Sequence, residues 1–132
     1  FGVTIHETLD EASARIEQDV RDATASDPWL GAYPPVLTRT GAAFGSATIP
    51  VDHPLVVATR DAVASVTGTR PPLVGAPYGC DMALWSRVGG AATLVHGPGD
   101  VSVAHAADEY VLIEEILSTA ESLVRLIDSL HA

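Results

Sequence analysis

The chain has 132 residues, 47% of them hydrophobic, and 17 acidic side chains against 7 basic ones give it a formal charge of −10. That length supports one domain with a core, or two incomplete lobes of a larger protein; the hydrophobic share argues against disorder, and the acidity against binding to nucleic acid or an anionic membrane. Cys80 is the single cysteine, which excludes an intrachain disulfide and a cysteine-rich zinc site and suits a reducing cytoplasm.

The opening residues Val3-Thr4-Ile5 read as a strand, with neither the charged start nor the long apolar stretch of a secretory signal. A chain that opens on a strand points to a natural beginning upstream. Leu9, Ala12, Ile16, Val20 and Ala23 then recur at three- and four-residue spacing, the pattern of an amphipathic helix, which must end before Asp27-Pro28. Pro34 to Thr40 reads as an extended segment with prolines at its start, and the small-residue stretch from Gly41 to Ile49 as a crossing between two lobes.

Asp52-His53-Pro54 signals a second helix, with Leu55, Ala58, Ala62 and Val66 as its buried stripe and Gly68 as its stop. Pro71 to Val74 is extended, Cys80 to Val88 suits a short helix, and Ala91 to Val95 fits a buried strand. A final helix runs from about Ile113 to about Leu130, with Ile116, Ala120, Leu123, Ile127 and Leu130 on one face that needs a sheet to cover it. No stretch approaches the roughly 18 consecutive apolar residues of a membrane helix.

Between the apolar run and the last helix lies Gly97-Pro98-Gly99, followed by Ala104-His105-x-x-Asp108-Glu109. With Asp27-Pro28-Trp29-Leu30, Pro34-Pro35, Asp52-His53-Pro54-Leu55 and Gly79-Cys80-Asp81, these landmarks in order resemble the C-terminal third of the zinc-dependent aminoacylase family. That family includes acetylornithine deacetylase, succinyl-diaminopimelate desuccinylase and carboxypeptidase G2-like peptidases. The resemblance implies an α/β fold: residues 1–45 as the second half of an α+β lid or dimerisation domain, and 46–132 as the C-terminal part of a catalytic domain with helices packed on a sheet. It also implies two zinc ions in the intact enzyme, which polarise the scissile carbonyl and activate a water for hydrolysis of an N-acyl amino acid or peptide. A homodimer follows from the same likeness. His105 matches a zinc ligand, while the other ligands and the glutamate general base belong upstream, so the chain alone is expected to be inactive with its zinc site unfilled.

The resemblance further places Gly79, Cys80, Gly97, Gly99 and His6 at the substrate. Asp108 and Glu109 either hold the His105 imidazole or start the next helix, Asp81 either supports the pocket or caps a helix, and the Gly97-Pro98-Gly99 stretch lines a pocket or is a plain turn. His6 stands where many members carry an arginine that grips a carboxylate. An imidazole lacks that fixed bidentate fork, which points away from ornithine and diaminopimelate substrates. Two other readings compete: a truncated, non-catalytic homologue that acts as a dimerisation or binding module, and an independent α+β domain that binds a small ligand.

Overall fold

The computed structural model describes residues 3–131. Its elements are α1 (Leu9–Ser26), α2 (Pro28–Ala32), α3 (Pro54–Thr67), a π-helical turn (Leu84–Val88), a 3-10 turn (Val101–Val103) and α4 (Ile113–Leu130). They divide into two units, one of Phe1–Thr48 with Pro77–Ala91 and one of Ile49–Ala76 with Ala92–Ala132.

In the first unit, α1 starts on a capping box. The Glu11 N–H donates to Thr8 Oγ1 at 3.2 Å and the Thr8 N–H to Glu11 Oε2 at 2.8 Å, so two donors that the helix leaves free satisfy each other's side chains. Glu7 receives Arg15 at 2.8 Å, which ties the entry of the chain to the second turn. At Asp27 the helix stops, and the Asp27 carboxylate accepts the N–H groups of Trp29 and Leu30 to begin α2. Ser46 holds the later part of the unit to the earlier one: its hydroxyl lies 3.0 Å from the Ile5 carbonyl and accepts from Arg87 at 3.1 Å.

In the second unit, His53 Nδ1 accepts the Leu55 N–H at 3.1 Å, Pro54 opens α3 without a donor to waste, and Gly68 closes it at φ 75. The capping side chain of the Asp52-His53-Pro54 start is that of His53. Helix α4 packs against α3, and Arg125 spans the pair by donating to Ser65 O and Oγ at 3.1 and 3.0 Å. The buried side chains of α3 are Val56, Thr59, Ala62 and Val63, so the stripe expected at Leu55, Ala58, Ala62 and Val66 is turned by part of a turn around the helix.

The α/β expectation is overturned, because no strand occurs among the described residues. Val3 to Ile5 runs instead into a turn in which the Glu7 N–H donates to Thr4 O at 3.1 Å. Pro34 to Thr40, Pro71 to Val74 and Ala91 to Val95 are not helical, but none is assigned to a ladder. A strand exists only through a neighbour that takes its N–H and C=O groups, and Pro34-Pro35 and Pro71-Pro72 remove donors at the places where two such runs begin.

The missing sheet leaves its mark on α4. Ser122 is its one buried residue among those described, with Ser118, Thr119 and Leu126 half-buried around it. At about 100° per residue that face lies about a quarter turn around the helix from the stripe of Ile116, Leu123, Ile127 and Leu130. Those four residues are 43–57% exposed. The apolar core of the described residues amounts to Ala12, Val56, Ala62 and Val63. No helix among them is long and apolar enough to cross a membrane.

The capping groups of α1 titrate. Hydrogen bonds from Arg15 and Thr4 hold the Glu7 carboxyl below its ordinary value, and those from Thr8 do the same for Glu11. A carboxylate whose folded pKa is depressed contributes stability above its unfolded value and loses it as pH falls through the folded one. Far-ultraviolet circular dichroism is therefore expected to lose α1 helicity as pH falls from about 5 to 3, and the Glu7→Gln, Glu11→Gln double variant to flatten that loss.

Candidate functional site

His105 sits in a loop whose backbone N–H groups meet both main-chain carbonyls and nearby carboxylates. The Gly99 N–H donates to Glu115 Oε2 at 2.9 Å, and Gly99 stands at φ 92, a region open to glycine without strain. Asp100 accepts the Ser102 N–H at 2.8 Å and so caps the 3-10 turn. That bond holds the Asp100 carboxyl below its ordinary value. The His105 N–H donates to Glu109 Oε2 at 3.1 Å.

His105 itself occupies a glycine-type position. The Ala106 N–H donates to Val103 O at 3.1 Å, Ala104 has φ −62 and ψ 135, and His105 follows at φ 64. These values describe a type II turn whose third residue is His105, where glycine is the usual occupant. A side chain in the left-handed region costs about 1 kcal/mol or more. His105 is the one non-glycine residue with positive φ among those described, and it is exposed. A histidine held where glycine fits better is a reason to look for a task for its ring.

The remaining candidates fall on both units. Gly97 and Gly99 share the His105 loop, and a Cβ at Gly97 would meet open space. Asp108 is exposed and makes no side-chain hydrogen bond among the described residues, whereas Glu109 serves the His105 backbone. His6, Gly79, Cys80 and Asp81 belong to the other unit. His6 is exposed in the Thr4 to Glu7 turn, and Cys80 is half-buried. The Asp81 carbonyl accepts the Trp85 N–H at 3.0 Å, while its carboxylate caps nothing among the described residues. Gly79 packs so closely on the Phe44 ring that a Cβ would collide with it. Neither the groove along α3 and α4 nor the one along α1 is lined by any of these residues.

Three His, Cys, Asp or Glu side chains able to hold a metal are nowhere brought together among the described residues. Hydrolytic zinc takes about three protein ligands and an open position, so this segment by itself does not fit a complete zinc centre. Glu115 is the partner that the sequence reading missed. No periodic signal links it to Gly99, 16 positions away.

Gly79 separates packing from ligand binding. Gly79→Ala is expected to lower stability by about 1–3 kcal/mol, the range for overpacking, read from thermal unfolding; an unchanged melting temperature would mean that Phe44 moves aside freely.

Residues 35–129 match the pattern of Peptidase family M20/M25/M40. Over 60 residues the chain is 37% identical to N-acetyl-L-citrulline deacetylase of Xanthomonas campestris pv. campestris, covering 42% of this chain and 16% of that protein. Over 139 aligned positions it is 27% identical to N-formyl-4-amino-5-aminomethyl-2-methylpyrimidine deformylase of Bacillus subtilis, covering 96% of this chain and 32% of that protein. The chain thus spans a third or less of the length of the curated relatives it matches. No solved structure matches it significantly. Because the match takes in the His105 loop, α3 and nearly all of α4, the chain belongs to the M20/M25/M40 peptidase family.

Proposed function

We propose that this chain is the C-terminal part of a zinc-dependent hydrolase that cleaves N-acyl amino acids or related amides, and that His105 is its contribution to the metal. Its family is generally metal-dependent. Both matched relatives carry names that describe removal of a small acyl group from nitrogen, which supports an N-acyl substrate. The observation that carries the reading is the ring of His105, exposed on a glycine-type turn within a loop whose backbone three carboxylates hold, Glu109 at His105 itself.

In the same reading, residues 1–45 belong to a lid or dimerisation domain and 46–132 to the catalytic domain of a cytoplasmic homodimer. The general base and the remaining ligands come from sequence outside this segment. The segment therefore does not hydrolyse substrate alone.

The test compares three samples on a panel of N-acetyl and N-formyl amino acids: the whole protein bearing this segment, its His105→Ala variant, and the 132-residue chain. The whole protein is expected to cleave at least one substrate, and His105→Ala to reduce kcat/KM by more than about 100-fold, beyond the loss typical of a residue that only supports a ligand. The isolated chain is expected to bind no zinc stoichiometrically. Stoichiometric zinc and turnover by the isolated chain, or full activity in His105→Ala, would sink the reading.

A further inference from the structure

We infer that Glu109 is a positioning residue for His105 that acts on its backbone and leaves its ring free. The inference rests on the reading of His105 as a site residue and concerns how the chain presents that side chain. A carboxylate four residues after a histidine is placed to hold an imidazole, the role the sequence suggested for it. The geometry assigns it another. Glu109 Oε2 accepts the His105 main-chain N–H at 3.1 Å, and the Glu109 N–H donates back to Ala106 O at 3.3 Å, so residues 105–109 close on themselves. Neither His105 ring nitrogen makes a hydrogen bond among the described residues.

The need for such a hold follows from the turn. At φ 64 the His105 backbone is in a region that side chains rarely adopt, and without support the turn relaxes toward an extended conformation that swings the ring away. The Ala106 N–H bond to Val103 O closes the turn on one side, and the Glu109 bond closes it on the other. Further back, Glu115 fixes Gly99 from the first turn of α4. Glu109 and Glu115 thus hold the loop at two separate points, His105 and Gly99. The role of Glu109 requires an acceptor oxygen and not a negative charge, since the group it serves is a neutral amide.

That distinction gives the test. In the whole protein bearing the segment, hydrogen exchange of peptides covering residue 105 is followed with steady-state kinetics. Glu109→Ala is expected to exchange about 10-fold faster in that loop and to lose about 10-fold or more in kcat. Glu109→Gln, which keeps an acceptor oxygen, is expected to restore both toward wild type. In a His105→Gly background, where glycine removes the left-handed cost, adding Glu109→Ala is expected to lower the melting temperature by less than it does beside histidine. Unchanged loop exchange in Glu109→Ala, or Glu109→Gln as impaired as Glu109→Ala, overturns the inference. Failure of the functional reading shows separately, as His105→Ala with wild-type turnover.

Discussion

Everything in the second unit hangs on the pairing of α3 with α4. The buried residues of the pair are Val56, Thr59, Ala62 and Val63 on one helix and Ser122 on the other. Arg125 reinforces the pair by reaching Ser65 while it also pairs with Glu121 on its own helix. Because α4 is fixed in this way, Glu115 in its first turn becomes an anchor for Gly99, and the loop that carries His105 is stretched between that anchor and the Glu109 turn. A loop held by its amides at both ends can display a side chain without burying it, which is the usual division of labour between scaffold and site.

The same pairing explains what the fold leaves undone. With Ser122 turned inward, the apolar stripe of α4 from Ile116 to Leu130 lies about a quarter turn to the side of the buried face and stays half-exposed. Burial of apolar area is the dominant favourable term in folding, at roughly 25 cal/mol per Å², and these side chains contribute little of it here. The hydrogen-bonded caps at Thr8, Asp27, His53 and Gly68 therefore carry an unusual share of local order.

Helix positions were legible because their signals are local. The Asp27-Pro28 stop, the Pro54 start with Gly68 beyond it, and the Ile113 to Leu130 period each depend on residues within a few positions of one another. Short α2 was not foreseen, since Pro28 was read as an end and it is also a first helical residue. The strands failed because β structure is a property of two segments. Apolar runs state a preference, and only a ladder with a second segment realises it. The inward face of α4 failed for a related reason: periodicity marked the apolar side, and the residue buried on α4 is Ser122. In the site, the ordered motif located His105, but its positive φ follows from a turn whose third residue is ordinarily glycine, and nothing in the residue type announces it.

Membership of the M20/M25/M40 family and the displayed ring of His105 converge on one atomic claim, that an imidazole nitrogen of this residue binds the metal of the proposed hydrolase. Anomalous diffraction from crystals of the zinc-loaded whole protein measures it directly. The account predicts a zinc peak about 2.0–2.1 Å from a His105 ring nitrogen, with the His105 backbone still in the left-handed region. A fully occupied zinc whose ligands all come from other residues, with the His105 ring turned to solvent, would contradict it.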